Sequence, residues 1–263
     1  MNKSTYPVVL LKELVRTDFK LRYQGSTLGY LWSLLRPLFM FTILYLVFVR
    51  FLKIGNNIEH PPVYLLMGIV VWNYFSEVTS GSIMAIVGKG DLLRKVNFPK
   101  YVILLAVSAS AFINLALNFI VIGVFMIVNG VTLSASALLV VPLLLELTIF
   151  ALGLSFWLSA VYVRLRDISY IWDVIMQAGF YLTPVLYLIT LLPTQFAKLS
   201  ILNPMTQIIQ DLRWSLVTHQ TTTIAQLWQS WYVWIIPIGA VVITLVTGVW
   251  YFRLRQSHFA EEV

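Results

Sequence analysis

Two acids, Glu77 and Glu146, stand inside otherwise apolar stretches of this chain. A carboxylate at membrane depth is costly and marks a functional site by default, as proton carrier, catalytic acid or ligand contact. Neither has a basic residue beside it in the sequence. Each can be neutral, or paired with polar groups such as Asn114, Asn118 or Gln177, and two lone acids make a poor proton relay. His60, His219 and His258 are far apart and lack metal-ligand spacing. There is no cysteine, which excludes disulfides, thiolate metal sites and cysteine nucleophiles. Gly88-Lys89-Gly90 lacks the wider glycine spacing, and the Ser or Thr after lysine, of a phosphate loop. Arg166 and Asp167 are adjacent, but arginine is no usable proton acceptor, so they read as the pairing groups of a turn. No catalytic residue or metal site emerges, and the energy for any work would have to come from elsewhere.

Binding chemistry is better represented. Arg16, Lys20, Arg22 and Arg36 lie near the start and suit phosphate or lipid headgroups. Aromatics make up 14% of the chain. Most suit packing or an interfacial belt, and a minority could line a path for sugars, with Trp32, Trp72, Tyr74, Phe180 and Tyr181 as candidates.

The elements that must position these groups are membrane helices. Of 263 residues, 59% are hydrophobic and 11% charged, against about a quarter charged in soluble domains. The net charge of +7 points first to orientation and anionic headgroups rather than to nucleic acid. Residues 101–145 carry no Asp, Glu, Lys or Arg. As one helix they would run about 68 Å, roughly twice the membrane. Asn129-Gly130 is a turn signal in the middle, so the stretch reads as a helical hairpin. The expected fold is all-α, a single domain of six transmembrane helices at 30–52, 61–88, 101–128, 135–161, 169–190 and 231–252.

Fourteen of the Lys and Arg residues then fall on one side, leaving Arg50, Lys53, Lys198 and Arg213 on the other. The positive-inside rule puts both termini in the cytoplasm. The patterned, charged lead of some thirty residues does not read as a cleavable signal.

Three further segments lie outside the spans. Residues 6–24 form an amphipathic basic helix, with Leu10, Leu11, Leu14, Val15 and Phe19 at helical spacing. Residues 91–98 open a short helix on the longest cytoplasmic loop. There Leu92, Leu93 and Phe98 alternate with Arg94 and Lys95 behind Asp91, as a protein-docking segment would. Residues 191–230 are too long for a plain outer connection, and 191–218 within them read as short helices dipping into the outer leaflet, with a surface amphipathic helix as the alternative.

Four stretches carry a resemblance. The first runs Asp18-Phe19-Lys20-Leu21-Arg22-Tyr23-Gln24-Gly25-Ser26 and on through Leu28-Gly29-Tyr30-Leu31-Trp32-Ser33 to Arg36-Pro37. The others are Asp91 to Lys100, Val163-Arg164-Leu165-Arg166-Asp167-Ile168, and Leu202-Asn203-Pro204-Met205. In this order they resemble the polysaccharide-exporting branch of the ABC-2 type permeases over nearly the whole chain. The resemblance implies a homodimer that binds no cofactor itself, with two copies of a separate nucleotide-binding subunit carrying ATP and Mg. It implies an interface helix at 6–24, a coupling helix at 91–98 built on Asp91, Leu92, Leu93, Arg94, Lys95 and Phe98, and outer re-entrant helices at 191–218. The implied cargo is a long glycan on an undecaprenyl-type lipid, of O-antigen or rhamnose-rich cell-wall type, crossing a bacterial cytoplasmic membrane. A teichoic acid, small-lipid or drug exporter of the same family is the nearest alternative. A membrane transferase or a proton-coupled carrier would have to rely on Glu77 and Glu146.

Overall fold

A computed structural model describes residues 6–23, 25–51, 53, 59–96 and 98–259. Among them there are helices and turns and no strand. Helix α1 is Tyr6–Tyr23, and α2 is Trp32–Tyr45, continued by a π-helical stretch at Leu46–Phe51. Then come α3 (Pro61–Ile83), α4 (Gly90–Lys95), α5 (Tyr101–Val128), α6 (Val140–Arg164, led in by a 3-10 turn at Ala135–Leu139) and α7 (Ile168–Leu182). The chain finishes with α8 (Thr194–Ser200), α9 (Pro204–Leu216), α10 (Ile224–Trp228) and α11 (Ile235–Arg255).

Four of these stretches are long and apolar enough to cross a membrane: Trp32–Phe51, Tyr101–Val128, Ala135–Arg164 and Tyr232–Arg255. The hairpin expected at Asn129-Gly130 is present. Gly130 takes φ +68°, Val131 N donates to the Met126 carbonyl at 2.9 Å, and Asn129 Nδ2 caps the Phe125 carbonyl at 2.7 Å.

Helix α3 is long enough to span at 23 residues, but polar residues dilute it. It is instead the central helix, buried along most of its length and packed against α2, α5, α6, α7 and α9. Its α-helical part stops at Ile83 rather than reaching residue 88. The expected span 169–190 is shorter still. Helix α7 has 15 residues, about 22 Å. It stops because Pro184 pushes Thr183 into extended backbone, with φ −82° and ψ 136°. The span expected at 30–52 is kept through Phe51, while Leu52 lies outside the described residues, as does Gln24 at the end of the expected interface helix.

The outer segment expected at 191–218 as short helices holds two, α8 and α9. Pro193 precedes α8. Helix α9 starts with Pro204 in its first turn behind Asn203, whose side chain accepts from Met205 N at 3.0 Å. Nearly all of α9 is buried, against α3 and α6. It is therefore an interior element and not a surface amphipathic helix. Glu59 ties the start of α3 to the segment after α9, accepting from Thr218 Oγ1 and Gln220 Nε2, each at 2.6 Å.

The last two long helices, α6 and α11, pack along one another. Small residues permit the close approach: a Cβ on Gly153 would lie 2.8 Å from the Leu245 nitrogen, and one on Gly248 would meet the Gly153 carbonyl.

Candidate functional site

Two regions gather the polar and charged groups. The first is a cleft of about 440 Å³ on the flank of the bundle, between α2, α3 and α5. Its floor is a polar stripe on α3, Asn73, Ser76, Glu77 and Ser80, spaced so that all four share one helical face. Opposite stand Asn114 and Asn118, one turn apart on α5. Asn114 Nδ2 donates to Glu77 Oε1 at 2.8 Å. Asn118 Nδ2 reaches the Ser33 carbonyl on α2 at 3.3 Å and the Asn114 carbonyl at 2.8 Å. Trp32 and Arg36 of α2, both exposed, form the rim. The cleft thus offers amide, hydroxyl and carboxylate groups beside one indole and one guanidinium. That is hydrogen-bonding and stacking chemistry suited to a polar, uncharged chain.

Of the expected sugar-path aromatics, the structure brings Trp32 and Tyr74 to this cleft. Tyr74 is nevertheless buried, its hydroxyl 2.9 Å from Thr148 Oγ1 on α6, which makes it a strut. Trp72 points elsewhere, packed edge-on to Phe180 at 5.9 Å, with its neighbour Tyr181 69% exposed on α7. The structure does not bring the five to one cavity. The spacing Asn73, Ser76, Glu77, Ser80 carries the polar stripe of α3 in the sequence itself, a signal beyond the aromatic candidates. A third carboxylate inside an expected span, Asp173 on α7, is exposed.

The second region is the end of the bundle that gathers α1, α4 and the end of α11. Helix α4 covers Gly90–Lys95, and Val96 is extended (φ −133°, ψ 129°), so the expected coupling helix 91–98 is shorter at its end. Its apolar residues mostly face inward. Leu93 and Phe98 are buried in a cluster with Ile86, Ile103, Leu104, Phe156 and Phe252, against which Leu92 packs. The outward face is Asp91, Arg94, Lys95 and Val96.

Helix α1 joins the same cluster through Leu10 and Leu14, leaving Arg16 and Lys20 exposed. Arg22 is on α1, its side chain outside the described set. Arg36 is on the cleft rim rather than on α1 with the others, so the four basic candidates are not one patch. Burial lowers the Lys89 pKa, opposed by the charge of Asp18 on α1. Burial also lowers that of Lys100, whose ammonium donates to the Gln256 carbonyl and lies 5.5 Å over the Phe259 ring. These contacts knit α1, the loop and the end of α11 into one unit.

Arg166 and Asp167 are exposed in the turn before α7, with the Arg166 guanidinium 5.1 Å over the Tyr162 ring. Arg213, counted above as an outer-face charge, is fully buried, which leaves the charge asymmetry larger than the count implied. No group of His, Cys, Asp and Glu that could hold a metal occurs among the described residues.

An all-helical bundle with long apolar helices, a polar flank cleft and a charged platform at one end is the build of a multi-pass membrane protein. Residues 9–217 match the ABC-2 type transporter family, and the chain belongs to it. Among curated relatives, the O-antigen export system permease protein RfbA of Klebsiella pneumoniae is 28% identical over 96% of this chain and 94% of its own length. A protein of the same description from Myxococcus xanthus is 29% identical over 97% of this chain and 95% of its own.

Proposed function

We propose that this chain is the membrane permease subunit that exports a lipid-linked polysaccharide of the O-antigen class across the cytoplasmic membrane. The reading is carried by the stripe Asn73, Ser76, Glu77 and Ser80 facing Asn114 and Asn118, a hydroxyl- and amide-rich surface on an otherwise apolar flank. It is supported by two relatives described as O-antigen export permeases, each aligned over nearly its full length.

In this reading two copies of the chain meet along α2 and α7, turning each cleft toward a shared path. The exposed Asp173, Tyr170 and Tyr181 of α7 favour that arrangement, because an acid at membrane depth faces a partner or water rather than lipid. Six segments cross the membrane, α2, α3, α5, α6, α7 with its extension to residue 190, and α11, while α8 and α9 form the re-entrant outer part. Both termini are cytoplasmic.

Energy comes from ATP and Mg on two copies of a separate nucleotide-binding subunit. That subunit docks on the outward face of α4, Asp91, Arg94, Lys95 and Val96. Leu93 and Phe98 would transmit the push into α5 and α11 through the cluster they share. Arg16 and Lys20 on α1 are suited to receive the lipid pyrophosphate, and no residue here needs to hydrolyse nucleotide.

Depletion of the chain in cells tests the reading. The expected result is intracellular accumulation of lipid-linked glycan, reversed by the intact gene. Normal surface glycan in depleted cells overturns it, and accumulation of a teichoic acid or small lipid in place of O-antigen-type glycan moves the cargo within the family.

A further inference from the structure

The mechanism above leaves one buried polar cluster unused. A cavity of about 430 Å³ opens between α6, α9, α10 and α11, away from the flank cleft. Its walls are apolar, with Leu143, Trp214, Trp234 and Ile238 among them, and two carboxyls line it: Glu146 of α6 and Asp211 of α9. No Lys, Arg or His is in its lining. The nearest cation along the chain, Arg213, spends its guanidinium on the carbonyls of Tyr64, Pro184 and Val185.

Asp211 is only 4% exposed. Its Oδ2 accepts from Gln207 Nε2 at 2.6 Å, while its Oδ1 and Glu146 Oε1 are buried with no hydrogen-bond partner. Behind them the fully buried Gln207 leaves its Oε1 unpartnered too. Two carboxyl oxygens and one amide oxygen without a hydrogen-bond partner are costly in an apolar setting. A group that brings several N–H donors and one positive charge would satisfy them. A primary ammonium has three donors and no acceptor, and the apolar walls suit a hydrocarbon stem.

We infer that this cavity binds a primary ammonium carried on an apolar stem, with Glu146 and Asp211 as its anionic partners. Two sources present that chemistry, the ethanolamine headgroup of a membrane lipid and a free aliphatic amine. The site is separate from the flank cleft, so it stands or falls independently of the export reading. Burial raises the Asp211 carboxyl to about 8, with the Gln207 hydrogen bond opposing the rise and the Glu146 charge adding to it. An incoming ammonium therefore displaces a proton, and binding tightens as pH rises from 6 to 8. Glu146 is the titratable group facing Asp211 from the neighbouring helix.

The test uses the full-length chain in maltoside detergent, titrated with n-octylammonium and followed by thermal unfolding. Octylammonium is expected to stabilise it saturably, whereas 1-octanol and octyltrimethylammonium, which cannot supply the N–H donors, do so weakly. The double substitution Glu146→Gln with Asp211→Asn keeps side-chain shape and removes the two ionisable carboxyls, so the variant stays folded. It is expected to weaken octylammonium binding by about ten-fold or more, the loss of at least one charge-assisted pair. Equal stabilisation by octanol, or unchanged affinity in the double variant, overturns the assignment.

A second arm reconstitutes both proteins in nanodiscs of phosphatidylethanolamine with phosphatidylglycerol and reads retained lipid by native mass spectrometry. Phosphatidylethanolamine kept by the wild type and lost from the double variant identifies the lipid headgroup as the source. Octylammonium binding without such retention identifies a free amine. Failure of both arms overturns the proposal.

Discussion

The Arg213 guanidinium lies 3.7 Å from the centroid of the Tyr64 ring, and its Nε donates to the Tyr64 carbonyl at 3.0 Å. The same side chain reaches the carbonyls of Pro184 at 2.7 Å and Val185 at 2.6 Å. Those carbonyls belong to the stretch where α7 has just ended. A broken helix inside a membrane protein is tolerated where protein groups take up its freed carbonyls, and Arg213 does this while pinning α9 to α3. Arg213→Ala would leave the carbonyls unpaired, so stability should fall by on the order of 3 kcal/mol or more. Gly68→Ala should weaken the same contact from the other side, since a Cβ there would sit 2.5 Å from Nη2. Detergent-solubilised melting curves check both, and unchanged melting in either shows the anchor to be dispensable.

Helices α6 and α11 make a second structural prediction. Gly248→Leu would drive a branched side chain into the Gly153 backbone and the Trp157 ring. Overpacking of this kind costs about 1–3 kcal/mol, and the cost should appear as a lower melting temperature and less mature protein in the membrane. Gly239→Leu is the matched control, because nothing lies within 4 Å of a Cβ there.

These contrasts show what was legible in the sequence. The hairpin at Asn129-Gly130 was, because a turn signal between two uncharged stretches permits little else. So was the apolar stripe of α1, since period alone defines it. The short α7 was only partly legible. Pro184 announces a break, but the donor that takes up its freed carbonyl, the Arg213 guanidinium, is 29 residues away, beyond any local pattern. Burial of Leu93 and Phe98 was hidden for the same reason: their partners are on α5, α6 and α11, and a loop reads as exposed until its distant neighbours are known. The polar stripe on α3 is different, because its spacing lies in plain view in the sequence.

Helix α4 separates docking from support. Reversing Arg94 and Lys95 to Glu changes only exposed side chains, so stability should hold while association with the nucleotide-binding subunit falls. Leu93→Ala or Phe98→Ala opens space in the buried cluster instead, at about 2–5 kcal/mol, and should destabilise the chain itself. Co-purification and melting temperature, measured on all variants, distinguish the two effects. Full partner association in the charge-reversed variant would remove α4 as the docking face.

The flank cleft makes its own prediction. Glu77→Gln keeps an oxygen for Asn114 Nδ2 and removes the charge, so export should persist within about ten-fold if the acid only shapes a polar path. Asn73→Trp fills the cleft from an exposed position and should block glycan export while leaving the protein folded. Combining Glu77→Gln with Glu146→Gln also tests the transferase and proton-carrier alternatives, because those chemistries require an ionisable acid at one of the two positions. Export abolished by the double amide, in protein that still melts normally, would favour them.

Asp211 adds a pH signature to stability. Its carboxyl sits near 8 in the folded chain against about 4 when unfolded. Between those values the folded state holds a proton that the unfolded state has released, so stability is greatest below about 4 and declines as pH rises toward 8. Asp211→Asn carries no such proton and should flatten the decline, leaving the variant relatively more stable at pH 8 than at pH 5. Melting temperatures taken across that range in amine-free buffer measure the slope, and a wild-type curve parallel to the variant's would mean that Asp211 titrates as an ordinary carboxylate. Adding octylammonium at pH 8 should raise the wild-type curve alone, because the ammonium then supplies the positive charge that the lost proton had carried.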